Sequence, residues 1–181
     1  MTVVPSTVSS MYDLAATLRD VIADAMATTD AGAPDRKWVS LGAPVWDTAC
    51  SQVAVQVLTL GEGLTSPTAP GEATGFRHSR GRVNLLGLVG YCIRCVQSSE
   101  QNSQVFIAPS DEQMSAEAKM SYEDGWACWN WITRAINDGT LFDGPCTDVH
   151  FDGGTPITPS GGLGGWSFVV RVEIGGYDPR L

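Results

Sequence analysis

Cys92 and Cys95 are separated by two residues, the spacing used by zinc sites and redox dithiols. They lie in an apolar, strand-like run over 83–96, where positions three apart point to opposite faces, so the two sulfurs do not converge on one ion. No second CxxC is present, and Cys50, Cys128 and Cys146 are scattered through the chain. All five cysteines therefore read as buried free thiols. The two histidines offer little more: His78 falls in a loop, and His150 stands between Val149 and Phe151 at a strand position. Neither belongs to a signature such as HExxH or GxSxG. The carboxylate pairs Asp111–Glu112 and Glu123–Asp124 are neighbours on a helix, where adjacent side chains do not face each other, and read as solvated surface. Cys50 near Asp47 has no base positioned beside it. Gly161, Gly162, Gly164 and Gly165 imitate a phosphate cradle, but they sit between two strand candidates with no helix following, so a flexible turn is expected. These residue types point to assembly rather than catalysis, and call for no metal and no cofactor.

Composition narrows the class further. With 181 residues and 43% hydrophobic content, the chain suits a single domain, 1–181, with a core of ordinary size. Its formal net charge is −9 and its pI about 4.5, the opposite of the basic footprint of a nucleic-acid binder. The acidity suits either plain solubility or a surface past which a polyanion slides without sticking. The most apolar run, 83–96, is broken by Asn84, two glycines and Arg94, and is shorter than the roughly 20 residues of a membrane span. Residues 1–10 carry neither a basic nor a strongly apolar segment, and the first positive charge is Arg19. The expectation is synthesis and folding in a cytoplasm.

The elements that must position these residues follow from periodicity. Residues 10–26 predict a helix, with Met11, Leu14, Leu18, Val21, Ile22 and Ala25 on one face, capped by Ser9 or Ser10. Asp30, Gly32 and Pro34 end it. A short apolar patch over 38–46 and a turn at Asp47 and Thr48 lead to a strand over 50–60. A long loop over 61–82 ends in the basic cluster Arg77, His78, Arg80 and Arg82. It reads either as a solvated hairpin loop or as an arm contacting a neighbouring subunit. The run 83–96 then pairs back on 50–60 as an extended hairpin.

Pro109 and Ser110 open a second helix of about 28 residues, near 42 Å long. Ser110 and Gln113 form a capping box, and Gly139 stops the helix. Its buried stripe is expected along Met114, Ala118, Tyr122, Trp126 or Gly125, Trp129, Thr133 and Ile136, with Trp126 and Trp129 as packing residues and Gly125 as a weak point. A short strand over 146–151 follows, then a Pro/Gly-rich connection over 155–165. The closing strand, 166–174, places Trp166, Phe168, Val170, Val172 and Ile174 on one face by strict alternation. The fold class is α+β: about two helices packed in two layers on a mainly antiparallel sheet of four or more strands.

Three segments carry a resemblance. The block Trp46-Asp47-Thr48-Ala49-Cys50-Ser51-Gln52-Val53-Ala54-Val55, the strand end Ile93-Arg94-Cys95-Val96, and Pro156-Ile157-Thr158-Pro159-Ser160-Gly161-Gly162-Leu163-Gly164-Gly165-Trp166 are similar to segments of neck proteins from long-tailed phages of actinobacteria. The likeness is to tail terminators, with one departure at Leu163, where related blocks often carry a cysteine. It implies a small α/β subunit of a six-membered homo-oligomeric ring that caps the tail tube, ends its polymerisation and offers a docking surface to the head. The implied partners are further copies of the chain, the major tail tube protein, and head-tail stopper or connector proteins. DNA would pass through the lumen without specific binding, and no membrane is involved. The implied location is the virion neck, with the host cytoplasm during assembly. No residue set transfers position by position. In such a ring the Arg-rich loop exit is the subunit-interface candidate, meeting acidic surface on the next copy. The nearest alternative is a stopper or connector of the same neck. A ligand-binding α/β module, with the tryptophans around 126–131 lining its pocket, is more distant.

Overall fold

The computed structural model describes residues 11–61, 84–96, 100–102, 105–107, 109–142, 146–160 and 162–174. In chain order these form α1 (Met11–Ala27), β1 (Arg36–Ser40), β2 (Ser51–Gly61), β3 (Asn84–Cys95), β4 (Glu100–Asn102), β5 (Val105–Ile107), α2 (Asp111–Asn137), β6 (Cys146–Ser160) and β7 (Leu163–Ile174). Five strands make one sheet in the order β1-β2-β3-β7-β6, and β4 pairs with β5 separately. The β1–β2 pair is parallel; every other pair in the large sheet is antiparallel. The architecture is the α+β two-layer arrangement that the periodicities predict.

Alternation builds the core. Val53 and Val55 on β2, Leu86, Leu88 and Cys92 on β3, and Phe168, Val170 and Val172 on β7 are buried on the same face of the sheet. Trp166 and Phe151 pack at the margin of this cluster. The apolar stripe of α1 (Leu14, Leu18, Ile22, Met26) lies over β1, β2 and β3, while α2 lies over β7 and β6 and touches α1. Gly90 takes the place in the β3 row beneath Ile22, where an added Cβ would collide with that side chain. The expected hairpin of 50–60 with 83–96 is present as β2 against β3, with one register shift between Val57 and Thr59.

Two differences from the sequence reading concern the strands. Residues 155–160 belong to β6, which runs continuously from Cys146 to Ser160 against β7 rather than ending near Phe151. The prolines are compatible because β6 is the last strand of the sheet, and three register shifts, the last between Ile157 and Ser160, absorb its irregular residues. The parallel β1–β2 pair was also not foreseen. Its connection, 41–50, returns over the face of the sheet opposite the helices, where the Trp46 ring stands edge-on to Trp38 (5.5 Å) and to Tyr91 (5.7 Å).

The third difference concerns α2. Its capping box is as expected: the Gln113 amide donates to Ser110 Oγ, and the Ser110 amide donates to Gln113 Oε1. Gly139, just past the helix, has φ +67°. The buried stripe, however, runs through Asp124, Gly125, Cys128 and Ile132, and Met114, Tyr122, Trp126, Trp129 and Trp131 are exposed. Trp126 and Trp129 are therefore not core residues. The stripe is rotated because Gly125 must meet Trp166: a Cβ at Gly125 would lie 2.5 Å from the indole, whose Nε1 donates to the Ser121 carbonyl at 2.9 Å. Trp129 reaches only the sheet margin, with its ring 4.8 Å from Phe151.

Candidate functional site

The three segments singled out by resemblance converge at one end of the sheet. The start of β2 pairs with the end of β3 (Ser51 opposite Arg94), and the end of β3 pairs with the start of β7 (Cys95 opposite Leu163). Residues 156–160 of β6 fold back on the same stretch of β7. Backbone hydrogen bonds close the corner: the Cys95 amide donates to the Cys50 carbonyl at 2.7 Å, and the Val96 amide to the Gly162 carbonyl at 2.8 Å.

A disulfide joins Cys50 to Cys95 at this corner, with Cα atoms 4.6 Å apart. The expectation of free thiols is thus wrong for these two residues and right for Cys92 and Cys128, which are buried and unbridged. The side chain of Cys146 lies outside the described residues. Opposite-face geometry does separate the CxxC pair, as expected: Cys92 enters the core while Cys95 turns to the other face and finds Cys50. The Cys128 thiol is pushed up in pKa, first by its hydrogen bond with the Cys92 thiol and then by burial. It stays protonated near neutrality and is a poor nucleophile.

Immediately behind the disulfide lies a buried ion pair. Arg94 and Asp124 are only 7% and 2% exposed. Arg94 Nε donates to Asp124 Oδ2 at 2.7 Å and Nη2 to Oδ1 at 3.2 Å. Nη1 donates to Ser51 Oγ (2.6 Å) and the Ala31 carbonyl (3.2 Å), and Nη2 also to the Gly32 carbonyl (2.7 Å). All five guanidinium donors are used. The Thr29 hydroxyl donates to Asp124 Oδ1 at 2.7 Å. The expected solvated pair Glu123–Asp124 is therefore split, with Asp124 turned inward to neutralise Arg94. Their complete satisfaction makes them a clamp between β2, β3, α2 and the turn after α1, with no donor left over for a substrate.

Two grooves flank this corner. On the helix side, α2 and the β6–β7 hairpin enclose about 520 Å³, lined among others by Met114, Tyr122, Pro156, Ile157, Pro159 and Trp166. On the opposite face, about 450 Å³ lies between Pro44, Trp46, Tyr91, Ile93, Ile157 and Leu163. Both are mostly apolar. Trp126 and Trp129 line neither, and Trp131 borders a separate polar groove with Asn130, Arg134 and Asp138. The tryptophans around 126–131 thus do not line one of these grooves together.

The remaining candidates are scattered. Arg77, His78, Arg80 and Arg82 lie outside the described residues, as does most of the loop over 61–82. His150 is on β6, exposed, with Nε2 3.1 Å from its neighbour Asp148. Among the described residues no group of three or more His, Cys, Asp or Glu could hold a metal ion, and no helix is long and apolar enough to cross a membrane. Phe168, Val170 and Val172 are fully buried and Trp166 is partly so, where the alternation placed them. The sequence reading missed Arg94–Asp124 and Cys50–Cys95. The signals were present: a lone arginine in an apolar run, and a hairpin register (Val53 opposite Cys92) that carries Cys50 opposite Cys95. No protein-family model matches this chain, and neither does any curated protein.

Proposed function

We propose that this chain is a structural subunit of a phage neck, a tail-terminator-type protein that forms a ring of identical copies.

 The observation that supports this reading is the convergence described above. Three segments far apart in the chain, each similar to neck-protein sequence, meet in one corner fixed by a disulfide and a fully satisfied ion pair. Such a corner is suited to holding a binding surface rigid. In this reading the ring caps the tail tube, stops its polymerisation and presents the head-docking surface. The Arg77, His78, Arg80 and Arg82 cluster meets acidic surface on the next copy, and the acidic excess of the chain limits adhesion of DNA passing through the lumen. A disulfide is at home in oxidising surroundings, so in this reading Cys50–Cys95 closes once particles leave the reducing host cytoplasm.

Electron microscopy of particles assembled without the protein tests the proposal. Tails of uncontrolled length beside filled, unattached heads are the expected result. Tails of correct length left unjoined would move the chain to the stopper or connector class, and intact particles would remove it from the neck. The groove of about 520 Å³ beside Tyr122 and Trp166 favours a second reading, a small-ligand module, because its size lies in the range of ligand pockets. A tryptophan-fluorescence screen that finds a saturable ligand would support that reading.

A further inference from the structure

The helices cover one face of the sheet and the 41–50 connection crosses the other, and both layers carry exposed apolar side chains. Over β6 stands one flank of α2. Met114, Ala118, Tyr122 and Trp126 recur every four residues and Trp129 continues the row, so they share one stripe of the helix. Tyr122 and Trp126 are each 68% exposed. On the other face of the sheet, in the connection that follows β1, Leu41 is 93% exposed and Val45 is 85% exposed.

Taking about 200 Å² for each aromatic side chain, Tyr122, Trp126 and Trp129 together expose on the order of 350 Å². That lies in the range of the largest apolar patch on a monomer, a patch that is often functional. A standard interface takes roughly 800 Å² from each partner, so the stripe supplies close to half of one side before its surroundings are counted.

We propose that the aromatic flank of α2 in one copy packs against the Leu41/Val45 connection of a second copy of this chain, head to tail. The proposal rests on the ring reading above and names the surfaces that would close the ring. A two-fold contact through α2 alone would leave Leu41 and Val45 in water on the other face of the sheet. A head-to-tail contact covers both clusters in every copy, and repetition of one such contact produces a closed ring when its rotation allows.

Size-exclusion chromatography with light scattering at high micromolar concentration tests it, using the full chain and the variants Trp126→Glu and Leu41→Glu, with Val45→Glu as a second variant of the same connection. Near-ultraviolet circular dichroism verifies that each remains folded. The wild type is expected to be multimeric and each variant alone monomeric. An equimolar mixture of Trp126→Glu and Leu41→Glu is expected to give dimers, because one intact contact remains available and neither outer end can extend it. Wild-type-like assembly by the single variants would overturn these surfaces while leaving the ring reading in place. A mixture that stays monomeric beside a multimeric wild type would overturn the head-to-tail pairing. A monomeric wild type would overturn the proposal, and the particle microscopy would then decide the terminator reading separately.

Discussion

The two sides of α2 exchange the usual places of residue types. Its inner side buries Asp124 beside Gly125, and its outer flank presents Tyr122 and Trp126 to solvent. On the inner side Arg94 supplies a complementary charge and every donor is satisfied, so burying a carboxylate is tolerable. On the outer flank the sheet ends at β6, leaving the aromatic rings with little beyond Phe151, beside Trp129, and Trp166, beside Tyr122, to cover them. Hydrophobicity alone therefore assigns neither side; the partner available at each position does.

The largest effect is expected on the inner side. Asp124→Ala leaves the Arg94 guanidinium buried without its counter-charge and should cost about 3–5 kcal/mol in urea unfolding. The double variant Arg94→Met with Asp124→Leu should recover most of that loss, because the desolvation of both charges disappears together. A double variant as unstable as Asp124→Ala would show that the clamp contributes specific hydrogen bonds that packing cannot replace.

The disulfide holds the same corner from the other face. It closes a loop with a sequence separation of 45 residues. By loop entropy its removal in Cys50→Ser with Cys95→Ser should cost about 2–4 kcal/mol, read as a lower urea midpoint with an intact final fold. Because β2 and β3 remain paired through the rest of the hairpin, the loss should fall below that of Asp124→Ala.

Gly125→Ala probes the contact that sets the rotation of α2. Helix propensity predicts a gain of up to about 1 kcal/mol. The Trp166 indole, 2.5 Å from the added Cβ, predicts instead a loss of about 1–3 kcal/mol and a change in tryptophan fluorescence. A more stable variant would mean that Trp166 can move aside without cost.

Much of the fold was legible because it follows from local period. Alternation placed Phe168, Val170 and Val172, and the capping box placed the start of α2. The rotation of α2 was not legible, since Trp126 and Trp129 fit a helical stripe as well as Cys128 and Ile132 do. Only the close approach of Trp166 to Gly125 selects between the two stripes. The strand character of 155–160 was hidden by Pro156 and Pro159, which are tolerated because β6 is a terminal strand. Of the candidate site, the three segments were visible as separate blocks, but their meeting depends on the order β2-β3-β7-β6, which local pattern does not encode.

An exposed ion pair supplies the contrast to Arg94–Asp124. Asp20 receives hydrogen bonds from Arg19 and from Lys37, the latter at 2.8 Å, and its carboxyl is held below the usual range chiefly by the Arg19 hydrogen bond. Its side chain is 43% exposed, so solvent screens the gain, and Asp20→Asn should cost less than about 1 kcal/mol at neutral pH. Because the folded pKa is the lower one, this contribution is present above the unfolded value, near about 4, and is lost as pH falls through the folded value. The stability difference between wild type and Asp20→Asn should therefore vanish on acidification. A difference that persists in acid would trace to packing rather than charge.

The smallest effect is expected on the outer flank itself. Trp126→Ser removes a large side chain that touches little of its own chain, so unfolding measured at concentrations too low for assembly should shift by no more than about 0.5 kcal/mol. Set beside Asp124→Ala on the same helix, this ranks a buried charge far above an exposed tryptophan in holding the monomer together. A loss of several kcal/mol would place Trp126 in the fold's own packing and weaken the case that its ring awaits a second copy. A negligible loss, with assembly abolished at high concentration by Trp126→Glu, would assign that aromatic surface to association alone.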